Sequence, residues 1–243
     1  MNPDAMAPYG QSLLDYLAGD TSASIVVRRD DGHTDDLPAS EFFRSPSDFS
    51  AIEQKALKLC RGRVLDVGAG GGCHSLVLQE RGTDVLAIDV SPQAIEVMSR
   101  RGVRECRLAD VFQFEENSFD TLLMMNHGLG LVEDLSGLDR FLDHAHSLLK
   151  PDGQIVCDSL DVRCTNTPGH VAYREANRRA GRHIGEVRMR FEYGRRTGPT
   201  CGWLHVDPET LGECASRHGW LCQVIHQDEW GDYLAQLTPA AIF

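Results

Sequence analysis

Asp66-Val67-Gly68-Ala69-Gly70-Gly71-Gly72 is the stretch on which the reading of this chain turns. A short apolar run, residues 63–67, leads into it, and helical spacing begins at His74. Glycines at a strand-to-helix bend let the backbone pass close to a ligand where a Cβ would stand in the way. The helix behind the bend presents free N–H groups and the positive end of its dipole, which favours a carboxylate or phosphate. A turn that merely reverses the chain is the weaker reading, because glycine-rich strand-to-helix turns are mostly ligand sites.

Outward from the loop the pattern alternates. A helix at 74–81 stops at Gly82, and a second strand, 84–88, ends at Asp89. Ser91-Pro92 starts a helix through Arg101, serine as the cap and proline in the first turn. Strands follow at 104–108 and 119–125, then an amphipathic helix at 135–149 and a fifth strand at 154–157 behind the turn Pro151-Asp152-Gly153. Strands this apolar, in βαβα order, predict an α/β fold with a doubly wound, mostly parallel sheet. The last third differs. Residues 186–193 alternate cleanly, with Val187, Met189, Phe191 and Tyr193 on one face, as a half-exposed antiparallel strand does. A turn rich in Gly and Pro leads to a strand at 202–206, Asp207-Pro208 opens a helix to Arg217, and strands at 220–226 and 232–237 meet at Gly231. Residues 1–50 read as an N-terminal cap segment, with helical spacing at 11–18, a strand core Ile25-Val26-Val27 and a turn at Asp31-Gly32. Residues 51–243 are expected to form one domain that carries the ligand site of the glycine loop. The cap and the 186–206 hairpin are expected to roof the ligand side of the sheet.

Two glycine patterns compete. The dinucleotide fingerprint G-x-G-x-x-G places its third glycine on Cys73 or on Ser75, so neither register fits. The pattern present is D-x-G-x-G-x-G, through Asp66, Gly68, Gly70 and Gly72. Here the chain resembles the class I S-adenosylmethionine-dependent methyltransferases, over residues 63–237 and most clearly over 63–158. The resemblance implies S-adenosyl-L-methionine as cofactor and a seven-stranded sheet in the order 3-2-1-4-5-7-6 with its last strand antiparallel. To that frame the N-terminal cap and a β-hairpin after strand 5 are added. It implies a cofactor site of Asp66, Gly68, Ala69, Gly70 and Gly72 in the loop, Asp89 on the ribose, Val90, Asp110 and Val111 around the adenine, and Asn126 near the methyl group. Chemistry agrees for Asp89: a carboxylate about 20 residues past the loop can accept from both hydroxyls of a diol. The alternative is a helix cap, a role Ser91 already fills.

The acceptor side is less specified. The fourth strand runs into Met125-Asn126-His127-Gly128, and ligands in open α/β sheets sit beyond the carboxyl ends of strands. His127, Asp158 and His205 are the candidate catalytic bases, each with a structural alternative. Arginine recurs from Arg163 to Arg196, including Arg174, Arg188 and Arg190, while the chain has only three lysines. Those arginines are either a solvated face or a site for an anionic acceptor. The net charge of −12 argues against nucleic acid as a partner, and no apolar run is long enough for a membrane span. Eight scattered cysteines without a C-x-x-C pair read as reduced thiols of a cytoplasmic protein, with no metal site. The expected function is methyl transfer to a small-molecule acceptor, with an anionic group on it as one option. A cofactor- or partner-binding module without catalysis and a nicotinamide-dependent oxidoreductase are the alternatives.

Overall fold

The computed structural model describes residues 1–240. Its strands are β1 (Ser24–Arg29), β2 (Thr34–Pro38), β3 (Arg63–Val67), β4 (Asp84–Asp89), β5 (Cys106–Leu108), β6 (Phe119–Met124), β7 (Leu149–Leu160), β8 (Glu186–Tyr193), β9 (Arg196–Thr197), β10 (Cys201–Leu204), β11 (Trp220–Gln227) and β12 (Asp232–Pro239). Its α-helices are α1 (Ala7–Leu17), α2 (Ala51–Leu59), α3 (Cys73–Glu80), α4 (Pro92–Arg101), α5 (Leu135–Leu148), α6 (Pro168–Arg179) and α7 (Pro208–Arg217).

The central strands are apolar throughout because both faces of the large sheet are covered. Leu65, Leu122, Met124 and Ile155 pack on one side with Phe141 and Leu142 of α5 and Leu211 of α7. Their neighbours in sequence, Val64, Leu123 and Val156, pack on the other side with Ile52 and Ala56 of α2 and Val77 of α3. The sheet order is β11-β12-β7-β6-β3-β4-β5. Counted from β3 as the first strand, this is 3-2-1-4-5-7-6, and β12 runs antiparallel to both of its neighbours. Ser91 caps α4 by accepting from Ala94 N–H, and Asp207 caps α7 by accepting from Thr210 N–H.

The N-terminal segment and the hairpin after β7 merge into one second sheet, in the order β10-β8-β1-β2 with β9 on β8. β1 lies antiparallel to β8, Val27 opposite Phe191 and Val26 opposite Glu192. The alternation visible in each segment is satisfied by the other. Ile25, Met189, Phe191 and Cys201 then pack with Tyr9 and Leu13 of α1 and with Ala94 and Val97 of α4. This sheet roofs the carboxyl ends of the central strands.

Three elements differ from the sequence reading. α6 falls in the arginine-rich stretch that was read only for its charge; it buries just Tyr173 and Asn177, too few for an apolar periodicity. α1 begins at Ala7, with Pro8 in its first turn. β7 runs through Pro151-Asp152-Gly153, where its pairing with β6 shifts register between Phe119 and Thr121. Among the described residues no helix is long and apolar enough to cross a membrane.

Candidate active site

The glycine loop joins β3 to α3. Gly68, Gly70 and Gly72 all have positive φ, at 70°, 55° and 76°, a region that side chains with a Cβ rarely occupy. Close approach adds to this constraint: a Cβ at Gly70 would collide with the Tyr9 hydroxyl, and one at Gly71 with the Phe42 carbonyl. The N-terminal segment therefore rests directly on the loop. Arg101 reinforces the contact by donating to the carbonyls of Phe42 and Gly71. Beneath the loop, buried Asp66 accepts from the Ser75 hydroxyl at 2.6 Å, and burial raises its pKa.

Asp89 ends β4 and is buried. Its carboxylate accepts from the N–H of Gly70 at 3.0 Å and of Ser91 at 2.8 Å. Burial pushes its pKa up to about 6 in spite of those bonds. Asp110 caps the short turn after β5, accepting from Phe112 N–H at 3.0 Å, and its other oxygen lies 3.4 Å from the Met1 ammonium.

A cavity of about 520 Å³ runs from this loop across the strand ends and under the second sheet. Asp66, Gly68, Ala69, Asp89, Val90, Asp110, Val111, Asn126, His127 and Asp158 all line it. Gly70 and Gly72 do not; they shape the loop from behind. His205, the third candidate base, does not line it either. Its ring stands edge-on to His127, with centroids 5.3 Å apart, and borders a second cavity. Burial and the His127 charge push its pKa down to about 3, so it is a poor proton acceptor at neutral pH. The roof contributes Met6, Tyr9, Val27, Leu37, Phe42, Met189, Phe191 and Trp203.

At the far end of the cavity Asn126 and His127 are consecutive non-glycine residues with left-handed φ, 59° and 56°. His127 Nε2 sits 2.6 Å from Asp232 Oδ1 at the start of β12. Burial opposes charge on His127, but the bond to Asp232 and the nearby Asp158 carboxylate outweigh it, and the pKa is raised. Asp158 is buried, its pKa raised by that burial, and its Oδ1 has no hydrogen-bond partner among the described residues.

A second network went unread in the sequence. Arg44 donates to both oxygens of Glu53, at 2.9 and 2.8 Å, and to Asn126 Oδ1 at 3.1 Å. Glu53 Oε1 also meets His74 Nε2 at 2.8 Å, and both side chains are buried. Burial opposes the charge on His74, yet contact with Cys73 and Glu53 raises its pKa. Burial likewise opposes the charge on Glu53, and its partners still hold it down to about 2. His74 is thus an imidazolium and Glu53 a carboxylate. The readable signal was the capping box Ser50–Glu53 at the start of α2. Asp232 carried no local signal beyond its place after Gly231.

The arginines between 163 and 196 stay out of this cavity. Arg188 and Arg190 point to the exposed face of β8, and Arg190 pairs with Glu192. Arg163 pairs with Asp161 and Glu209. The arginine on the main cavity's lining is instead Arg44, already committed to Glu53.

Comparison with known proteins gives consistent matches. A family model described as a methyltransferase domain matches residues 65–157. The demethylmenaquinone methyltransferase of Tropheryma whipplei is 30% identical over 59% of this chain and 61% of its own length. The ubiquinone biosynthesis O-methyltransferase of Xylella fastidiosa is 30% identical over 44% of this chain and 45% of its own. The chain thus spans less than two thirds of these curated relatives. A solved S-adenosylmethionine-dependent methyltransferase from Bacteroides fragilis, crystallised with S-adenosyl-L-homocysteine, is similar over the whole length. It is 33% identical, with a TM-score of 0.86 over 99% of this chain and 98% of that one.

Proposed function

Because the chain belongs to the class I S-adenosylmethionine-dependent methyltransferases, we propose that it methylates a hydroxyl on a small, largely apolar acceptor. The single observation that carries this is the continuous cavity. One end has the glycine loop with Asp89 and Asp110; the other has His127, Asp232 and Asp158 under an apolar roof. The residues present fit the cofactor. Asp89 would hold the ribose diol, Val90, Asp110 and Val111 would border the adenine, and the backbone of Gly68 and Ala69 would face the methionyl part, with Asn126 toward the methyl group. Arg44, clamped between Glu53 and Asn126, would close that end. When bound, S-adenosylmethionine supplies an electrophilic methyl group.

What remains for the protein is alignment and removal of a proton. His127 Nε2 is engaged by Asp232, which fixes the ring, and its Nδ1 carries no hydrogen bond to protein among the described residues. The neutral ring would take the acceptor's hydroxyl proton at Nδ1. The unpartnered Oδ1 of Asp158 would orient that hydroxyl or a neighbouring one. Met6, Val27, Leu37, Met189 and Phe191 favour an apolar body on the acceptor. The name of one curated relative, a ubiquinone biosynthesis O-methyltransferase, supports an oxygen acceptor, and that of another, a demethylmenaquinone methyltransferase, supports a quinone-type ring. A cytoplasmic location belongs to the same reading and is supported by eight free thiols.

Calorimetry with S-adenosylhomocysteine, followed by a product assay with catechols and hydroquinones, tests the proposal. Binding of the cofactor product with methyl transfer to at least one ring hydroxyl is expected. Absence of S-adenosylhomocysteine binding would defeat the cofactor site; binding with transfer only to amines would defeat the hydroxyl assignment.

A further inference from the structure

A second cavity, of about 290 Å³, lies against the same face of the roof sheet. Val27 and Met189 border both cavities. Residues two apart in a strand share a face. Val187, Met189 and Phe191 along β8 therefore line one trough, as do Asp35 and Leu37 along β2. Val27 and Met189 stand between the second cavity and the first, and His205 lies in the wall of the second. Its walls are apolar at Leu160, Val162, Ile184 and Val187.

Its polar groups are unevenly satisfied. Arg29 is saturated: Nε and Nη2 bond Asp31 at 2.8 and 2.7 Å, Nη1 meets His170 at 3.0 Å, and the guanidinium lies 4.1 Å over the Tyr173 ring. Arg174 is half-buried and donates to the Val162 carbonyl. No carboxylate lies within 4.0 Å of it among the described residues, although the chain carries 36 acidic residues. His205 presents a buried Nδ1 with no partner. The acid on the lining, Asp35, is 70% exposed and faces His33 at 3.2 Å. A half-buried guanidinium without an acid and the His205 ring thus border one apolar-walled space. Such a guanidinium suits an oxygen-bearing anion.

We propose that this second cavity is a carboxylate subsite, in which Arg174 pairs the anion beside the His205 ring, and Leu160, Ile184 and Val187 hold the attached carbon chain. The carboxylate belongs either to an arm of the methyl acceptor that reaches past Val27 and Met189 or to a free short-chain acid. The first source rests on the methyltransferase reading; the second does not.

The test follows the His205 and His170 ring signals by NMR, with and without saturating S-adenosylhomocysteine. The probes are hexanoate, hexanamide, catechol, 3-(3,4-dihydroxyphenyl)propanoate and the amide of that acid. Each acid is expected to bind about tenfold or more tighter than its amide. The preference should vanish in Arg174→Gln and return in part in Arg174→Lys. Val187→Phe, which fills the cavity without touching a charge, should abolish acid binding. If the dihydroxyphenyl acid gains over catechol, the anion is an arm of the acceptor. If hexanoate binds and the linked acid gains nothing over catechol, a free short-chain acid is the occupant. Equal affinity of acid and amide, binding of no probe, or a preference that survives Arg174→Gln or Val187→Phe would overturn the subsite. Because hexanoate is also read without cofactor product, failure of S-adenosylhomocysteine to bind would count against the proposed function alone.

Discussion

Replacing Asp89 by asparagine separates what this carboxylate does for the fold from what it does for the cofactor. The side chain is 5% exposed and already accepts from two backbone amides, Gly70 at 3.0 Å and Ser91 at 2.8 Å. Alanine would strand both donors at about 1–3 kcal/mol each, so a lost affinity in Asp89→Ala would be mixed with lost structure. Asparagine keeps the shape and one acceptor oxygen. Charge-assisted bonds to a ribose diol contribute about 1.5–3 kcal/mol. S-adenosylhomocysteine should therefore bind Asp89→Asn about ten- to a hundredfold more weakly. The accompanying fall in Tm should be only a few degrees, since about 1 kcal/mol shifts a domain of this size by roughly 2–4 °C. The pH dependence adds an independent check. Burial raises the pKa from 3.8 to about 6, so the folded protein prefers the protonated acid. Stability from this group is greatest below pH 3.8 and declines as pH rises toward 6, by about 3 kcal/mol in all. A bound diol reverses the preference, because it needs the carboxylate. Affinity measured by calorimetry should fall as pH drops below about 6, approaching tenfold per pH unit, and the limb should be missing in Asp89→Asn. A wild-type Kd in the variant, or the same acid limb in both proteins, would refute the assignment of ribose to Asp89.

Three further perturbations probe the rest of the site. In Asp232→Asn the charge that holds the His127 proton is gone, so the His127 pKa should fall; an unchanged NMR titration would break the pair. In Glu53→Gln the buried His74 cation loses its acid, at a cost of about 3–5 kcal/mol. The ion pair stabilises fully between about pH 4.5 and 6.5. It fades as pH falls toward the Glu53 value of about 2, or rises toward the His74 value of about 10. The difference in unfolding free energy should be largest inside that window, and a flat difference from pH 3 to 10 would contradict it. In Gly71→Ala the new methyl meets the Phe42 carbonyl. Amides of residues 1–50 should then exchange faster in hydrogen-exchange experiments while β3 and β6 stay protected; uniform exchange would mean that the segment does not lean on the loop.

The central strands β3, β4 and β6 were legible because each is short and apolar, with Gly82 and Asp89 marking the breaks around β4, whereas the order of the sheet was what the family resemblance implied. Parallel strands buried on both faces have little freedom to read otherwise. The second sheet was legible only in halves. Val26-Val27 and Val187–Tyr193 each signalled a strand, but β1 pairs with β8 across more than 160 positions of sequence, and no local rule names the partner. α6 was missed for a different reason. With Tyr173 and Asn177 as its buried residues, it is held by Tyr173 bonding Asp30 and Asn177 bonding the carbonyl of Glu186, which are tertiary contacts without a periodic trace.

The turn after β6 shows why the acceptor end of the cavity lay beyond sequence reading while the loop end did not. At the loop, glycine itself is the signal: positive φ at Gly68, Gly70 and Gly72 requires the residue that is visible in the sequence. At Asn126 and His127 the same backbone region is occupied by non-glycine types that enter it more readily than most, so the residues themselves do not announce the turn. The structure supplies two clamps: Arg44 on Asn126 from 82 residues upstream, and Asp232 on His127 from 105 residues downstream. One clamp comes from the N-terminal segment and the other from the final strand. Removing either should let the turn relax toward ordinary φ and carry His127 away from Asp158. The geometry of the proposed proton acceptor is therefore set by Arg44 of the N-terminal segment and Asp232 of the last strand closing on one turn. Neither clamp is visible in the Met125–Gly128 segment that presents the histidine.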